Sequence, residues 1–348
     1  MNRLKQDIRS LTKLQIEEFF CLKNKPRFRA NQVYEWLWKH RVLDFNLMTS
    51  LSLVDRTLLN TTFSINSLTI NNYKTSLDGT IKFLFQIDKN KVVEGVLIPH
   101  KNRYTACISS QAGCSLACKF CATGKLKLYR NLSAGEIYDQ VFLINEFSLR
   151  KFNKRITNIV YMGMGEPFLN STNVLNSIAH ITSNQGLNIS AKRITVSTAG
   201  IVKIIKRIAD LNPQFNLAIS LHSANDEKRT TIMEINKSNN LKDLALAIDY
   251  FYTKTKIKPT YEYILLHGVN DSIQDAKDLI DFCKKTPSKV NLIEYNQVSN
   301  VPYRKSSQSS TKIFMDLLEK NKILVKFRRS RGEDIGAACG QLATQNKK

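Results

Sequence analysis

With 348 residues and 39.8 kDa, the chain is long enough for one large α/β domain and a small appendage. Its 43% hydrophobic and 23% charged content excludes a disordered or low-complexity chain, and 13 Gly with 7 Pro exclude a collagen-like one. The 52 Lys and Arg against 29 Asp and Glu leave a net charge of +23, an excess that asks for a polyanionic partner. No apolar run of about 18 residues, lipidation signal or long basic amphipathic helix points to a membrane, so nucleic acid is the expected polyanion. The start of the chain lacks the apolar stretch of a secretory signal, and Asp7, Glu17 and Glu18 argue against a transit peptide, so the protein is expected in the cytoplasm.

From residue 4 to about 68, apolar residues recur at helical spacing, as in Val33, Trp36 and Leu37 or Leu51, Val54, Leu58 and Leu59. A small helical domain over residues 1–75 is expected. Within it Lys23, Lys25, Arg27 and Arg29 precede an aromatic-rich helix, a composition that suits phosphate contacts as well as it suits a solvated basic face. Alternating, β-branched stretches at 81–87, 91–99 and 104–109 predict three strands, the first two in a β extension over 76–103. From about Ser133, helical stretches alternate with apolar runs at 156–162, 193–197, 215–222, 259–266, 290–295 and 323–327. Strands alternating with helices imply parallel βα units, so the fold class is α/β, and a full or partial βα barrel over residues 104–343 is the expected closure. A frayed polar tail is expected at 344–348.

Seven cysteines, three of them within eight residues, do not form a disulfide framework. Cys114-Ser-Leu-Ala-Cys118-Lys-Phe-Cys121 directly follows a predicted strand, which puts three thiols at the carboxyl end where βα barrels do their chemistry. A structural zinc site takes four ligands, usually in two separated pairs, and no second Cys or His pair is present. An iron–sulfur cube takes one thiolate per iron, so three cysteines would leave one iron open. Chance clustering, or a structural metal in a non-catalytic RNA-binding protein, is the competing interpretation.

Met162-Gly-Met-Gly165-Glu166-Pro167 also follows a predicted strand, where glycine permits close approach and a carboxylate can meet an ammonium group, although such turns are common. On the residues alone, Ser197 and His222 are satisfied structural polar groups, Glu94 is an exposed carboxylate on a strand, and Cys339 is an inert late cysteine.

The cysteine loop and the Gly-Glu-Pro turn resemble those of the radical S-adenosylmethionine (SAM) superfamily. That resemblance implies a partial (β/α)6-type radical SAM barrel with a small N-terminal helical domain, and a [4Fe–4S] cluster on Cys114, Cys118 and Cys121. The open iron would chelate SAM and, when reduced, split it to a 5′-deoxyadenosyl radical. It further implies SAM binding by Gly165, Glu166, Ser197, Ser220, Leu221, His222 and Asn296. Arg29-Ala-Asn-Gln32, Gln111-Ala-Gly-Cys114, Cys121-Ala-Thr-Gly124 and the segment around Cys339 are similar to one family in particular, the dual-specificity 23S rRNA/tRNA adenine-C2 methyltransferases.

Membership there would explain the equipment: carbon 2 of adenine is an electron-poor amidine carbon that cannot attack a methyl group as an amine does. The resemblance implies a ping-pong scheme using two SAM per turnover. Cys339 is methylated first, its methyl is activated and added to carbon 2, and Cys107 resolves the protein–RNA adduct, leaving a disulfide. Glu94 matches the proton acceptor. An external electron donor, such as a flavodoxin or ferredoxin system, and a monomer are implied. Pro167 separates the chain from C8-methylating relatives, which carry Ala after the Gly-Glu pair.

Overall fold

The computed structural model describes residues 5–343, so the tail expected at 344–348 lies outside the described residues, as does residue 4. Two short parallel strands, β1 (Gln6–Asp7) and β2 (Phe63–Ser64), bracket the helices α1 (Lys13–Leu22), α2 (Arg29–Trp38) and α3 (Leu53–Thr62). Thr12 and Gln15 make a reciprocal capping box on α1, and Ser52 caps α3. In α3 the apolar periodicity is overruled: Val54 is exposed and Asp55 is buried. The cause is charge, because the Asp55 carboxylate meets Lys25 at 3.1 Å and Arg29 at 3.4 Å. Arg27 pairs with Glu17 at 2.9 Å, so three of the four cations in the basic stretch are engaged inside the protein rather than held free for phosphate.

One carboxylate fastens this helical region to the rest. Asp139, fully buried on α4 (Ala134–Phe152), accepts two hydrogen bonds from Arg9 at 2.9 and 3.0 Å and one from Arg41 at 2.7 Å. The Trp38 ring also stacks on His180 at 3.5 Å between centroids.

The core is one ten-stranded sheet. An antiparallel run, β3 (Thr69–Thr75), β4 (Ile81–Asp88), β5 (Lys91–His100) and β6 (Arg103–Cys107), leads into it. A short hairpin of β7 (Gln111–Ala112) and β8 (Arg130–Asn131) frames the cysteine loop. Six further strands then extend the sheet from β6 in parallel. These are β9 (Asn158–Tyr161), β10 (Ile194–Thr198), β11 (Asn216–Ser220), β12 (Thr260–Leu265), β13 (Lys289–Glu294) and β14 (Leu324–Arg328). Between them run α5 (Ser171–Thr182), α6 (Val202–Asp210), α7 (Asp226–Ile232), α8 (Leu241–Thr255), α9 (Ile273–Cys283) and α10 (Gln308–Lys320). The parallel strands number seven, so the expected six-unit barrel carries one strand more, and it stays open because β14 and β3 are the two ends of the sheet. The α/β class and all nine strands expected between residues 81 and 327 are present.

β3 departs from expectation, since residues 69–75 were assigned to the helical domain and instead form the outermost strand of the sheet. Its sequence, Thr-Ile-Asn-Asn-Tyr-Lys-Thr, is almost wholly exposed, so hydrogen bonds to β4 hold it and no apolar alternation betrays it.

After β14 the chain crosses the sheet's opening. Asp334 accepts from the Ser76 hydroxyl at 2.5 Å and the Leu77 amide at 3.1 Å, while Asp78 accepts from the Gly332 amide at 3.0 Å. The turn between β3 and β4 thus clasps the segment that carries Cys339, with Lys82 Nζ donating to the Gly336 carbonyl at 3.2 Å.

Candidate active site

Five of the seven parallel strands deliver an expected site residue at or just beyond the carboxyl end, the end that bears chemistry in βα barrels. Cys107 closes β6, the 162–167 turn follows β9, Ser197 lies near the end of β10, Ser220 closes β11, and Asn296 follows β13. Cys114, Cys118 and Cys121 line one cavity with Gly165, Glu166, Ser197, Ser220, His222 and Cys339. Burial pushes the Cys114 thiol up to about 11 and raises Cys118 and Cys121 as well, the neighbouring thiols adding to it at Cys114 and Cys118. Such thiols stay protonated until a positive centre enters and displaces the protons.

Local geometry explains several sequence choices. Gly165 has φ +93°, and a Cβ there would stand 2.4 Å from the Gln111 Cβ, so both conformation and space require glycine. Gln111 in turn accepts from the Glu166 amide at 2.8 Å. The buried Glu166 carboxylate accepts from the Phe168 amide at 2.9 Å and the Ala199 amide at 2.8 Å, which ties the turn after β9 to the end of β10. Burial raises its pKa against those two donors. The Ser197 and Ser220 hydroxyls lie 3.4 Å apart on the same wall.

His222 sits at φ +57°, its ring edge-on to Phe120 of the cysteine loop at 4.8 Å. Burial pushes its pKa down to about 3, with the Arg229 charge adding to the effect, so it is neutral. Its Nδ1 accepts from the Ile264 amide at 3.1 Å, which assigns the ring proton to Nε2. Leu221 is a core side chain and faces no cavity; its carbonyl accepts from Arg229.

A second cavity shares Cys339, Met162 and Arg328 with the first and adds Cys107 and Asn296. Two cysteines distant in the chain thus open on one space. Burial pushes Cys107 up to about 12, with the Cys339 sulfur raising it further and Arg328 opposing. Asn296 donates to the Cys339 carbonyl at 3.1 Å, and its buried Oδ1 has no partner. The cysteine loop and the Cys339 segment are also joined directly, the Ala122 amide donating to the Gly340 carbonyl at 2.7 Å and the Thr123 hydroxyl to the Leu342 carbonyl.

Glu94 is 2% exposed, contrary to the exposed strand carboxylate that its residue type suggested. It lines a third cavity, with Lys74, Lys82 and Lys125. Burial raises its pKa against the Lys82 ammonium at 3.3 Å and the backbone amide of Ala343.

A profile of the radical SAM superfamily matches residues 108–283, and one of the ribosomal RNA large subunit methyltransferase N-terminal domain matches residues 6–65. The protein named "Probable dual-specificity RNA methyltransferase RlmN" of Cytophaga hutchinsonii is 51% identical over 344 residues, which covers 99% of this chain and 94% of that one. The chain belongs to the RlmN family of radical SAM proteins. The like-named RlmN of Enterococcus faecalis is 42% identical over 99% of this chain and 98% of its own. A radical SAM methyltransferase from Sphaerobacter thermophilus has the same fold, with a TM-score of 0.89 at 37% identity over 97% of this chain and 99% of that one.

Membership in the RlmN family brings a [4Fe–4S] cluster and SAM, and the residues fit both. Among the described residues no three Cys, His, Asp or Glu side chains converge enough to chelate one ion. A cubane needs a different donor set, one thiolate at each of three corners, and three thiols spread along one loop around one cavity supply it. Neighbouring hydroxyls, the Glu166 carboxylate and the His222 Nε2 proton suit a zwitterionic nucleoside, whereas Asn296, expected among them, lines the second cavity instead.

RlmN-family motif reading missed Arg229. It is fully buried on α7, is joined to no carboxylate, and donates to the carbonyls of Leu221 at 3.0 Å and Ala199 at 2.6 Å and to Asn236 Oδ1 at 2.6 Å. It thereby pins the ends of β10 and β11 and holds a positive charge near Cys118. No local signal marks it, because an Arg in a polar helical stretch reads as solvated. Replacing Arg229 with Met, which strands those acceptors, is expected to cost about 3–5 kcal/mol of stability. Urea denaturation measures it, and a loss under about 1 kcal/mol would mean that the carbonyls find other donors. Glu262, with Arg328 at 3.2 Å, was missed for the same reason.

Proposed function

We propose that this chain methylates carbon 2 of adenosine in the peptidyl transferase region of 23S rRNA and in tRNA at the adenosine 3′ of the anticodon. It would act in the cytoplasm as a monomer supplied with electrons by a flavodoxin or ferredoxin system. One observation carries the reading: Cys339 lines both the cavity of the three clustered thiols and the cavity of Cys107.

Cys114, Cys118 and Cys121 would hold the cluster, and Gly165, Glu166, Ser197, Ser220 and His222 would hold SAM, with Leu221 contributing through its backbone. When bound, the cluster and SAM supply a methyl cation equivalent and one-electron chemistry. The remaining work belongs to the chain. Cys339, on an exposed loop between Ala338 and Gly340, carries the methyl group to the base. Asn296 holds the carbonyl of that residue and keeps Oδ1 available to a ligand.

Glu94, its buried carboxylate paired with Lys82, takes the proton lost from carbon 2. Cys107 then attacks the Cys339 sulfur. A sulfur–sulfur bond forms, the sulfur–carbon bond breaks with its electron pair left on the methylene carbon, and that carbon takes up one proton, matching the one the Cys107 thiol gives up, to become the methyl group.

Anaerobic reconstitution tests the reading. About four irons per chain and 2-methyladenosine in treated rRNA are expected. Iron-free protein, or methylation at another ring position, would overturn it.

A further inference from the structure

The RlmN-type reading leaves open the side from which RNA reaches Cys339, and it leaves most of the excess positive charge unassigned. The cavity shared by Cys107 and Cys339 extends away from the clustered thiols toward Arg103 at the start of β6 and toward Lys326 and Arg329 at the free edge of β14. We propose that this cleft receives the RNA sugar–phosphate backbone beside the target adenosine, with Arg103, Lys326 and Arg329 contacting phosphates. The proposal rests on the RNA methyltransferase reading and names the approach by which its substrate reaches the thiols.

Charge and position together mark this surface. Arg103, Lys326 and Arg329 are exposed, and among the described residues none is in an ion pair. Three cations elsewhere near the site are committed, Arg328 to Glu262, Lys82 to Glu94 and Lys305 to Glu333, whereas Arg103, Lys326 and Arg329 line the cleft that holds both Cys107 and Cys339. In the basic stretch of the helical region, Lys25, Arg27 and Arg29 are committed too, through Asp55 and Glu17. The carboxylate lining the cleft, Asp78, already accepts from the Thr80 amide at 2.9 Å and the Gly332 amide at 3.0 Å. An entering phosphate therefore meets free cations and a carboxylate held by backbone donors.

Two further observations agree. The buried Ser330 hydroxyl on the same wall has no hydrogen-bond partner, which suits a donor to a phosphate or ribose oxygen. The free edge of β14 is also where the sheet leaves its opening. Arg103 lies four residues before Cys107 on one strand, roughly 13 Å along it, so the cations could follow several nucleotides of backbone while one base turns inward to the sulfurs.

The test uses the full chain, reconstituted anaerobically, with Arg103→Glu, Lys326→Glu and Arg329→Glu combined, and a charge-conserving control of Arg103→Lys, Lys326→Arg and Arg329→Lys. Two quantities are read: Cys339 methylation by SAM without RNA, by mass spectrometry, and affinity for a peptidyl-transferase-loop fragment of 23S rRNA across a KCl series. Cys339 methylation is expected to stay at the unaltered level in both variants. RNA affinity of the reversed variant is expected to fall at least about 10-fold, its salt slope shrinking by roughly two, while the control keeps the slope.

Unchanged affinity and slope in the reversed variant would overturn the cleft, as would an affinity loss that leaves the slope intact. Failure of the unaltered chain to methylate Cys339 would count against the methyltransferase reading instead, and the binding series would still decide the cleft.

Discussion

Cys339→Ala is expected to lower formation of 2-methyladenosine by at least about 1,000-fold, because it removes the atom proposed to carry the methyl group. Nothing in the surroundings offers a substitute: Cys107 is buried with its thiol pushed up to about 12, and burial raises the three clustered thiols as well. The loop should keep its place without the sulfur. It is fixed through its backbone, by Asn296 on the Cys339 carbonyl at 3.1 Å and by the Ala122 amide on the Gly340 carbonyl at 2.7 Å. Reductive cleavage of SAM to 5′-deoxyadenosine should therefore persist in the variant, as measured by chromatography. Normal methylation of RNA by the variant would refute a carrier role for this residue.

Cys107→Ala should do something different and equally large. Methyl loading of Cys339 needs only that residue and SAM, so it is expected to proceed, as is addition to the base. The attack on the Cys339 sulfur cannot follow, and the protein should remain covalently joined to RNA. A denaturing gel with labelled RNA should show a protein-linked band that nuclease removes, while release of methylated product falls to background. Absence of that band under turnover would count against the resolving role. Truncating this buried side chain at the end of β6 leaves only a small void, worth about 1 kcal/mol, so loss of fold would not explain a missing band. Burial holds the Cys107 thiol high, and a protonated thiol is a poor nucleophile.

The parallel strands were legible because each is a short apolar run between helical stretches, and burial on both faces leaves that record in the residues themselves. The cysteine loop was legible through spacing, and the Gly165-Glu166-Pro167 turn through its glycine, whose positive φ admits little else. β3 was not, because an edge strand with polar faces is held by backbone hydrogen bonds that any sequence can make. Asp55 reversed the helical pattern of α3 because an ion pair with Lys25 and Arg29 outweighs the apolar preference of a single position.

Within the site, Glu94 carried no sign of its burial, since it depends on β4 supplying Lys82 and on the Cys339 segment folding over it. Arg229 carried none either, since its acceptors are carbonyls at the ends of two other strands. The distinction follows the range of the forces involved. Periodicity, turn conformation and the spacing of neighbouring thiols are local, so the residues alone established an α/β barrel with three clustered sulfurs at a strand end.

The meeting of Cys107 with Cys339, the clasp of Asp78 and Asp334 across the opening, and the gathering of Arg103 with Lys326 and Arg329 around one cleft are encounters between segments distant in the chain. They exist only once seven parallel strands have stacked in order and left the sheet unclosed, because that stacking determines which loop ends stand within a few ångströms of one another.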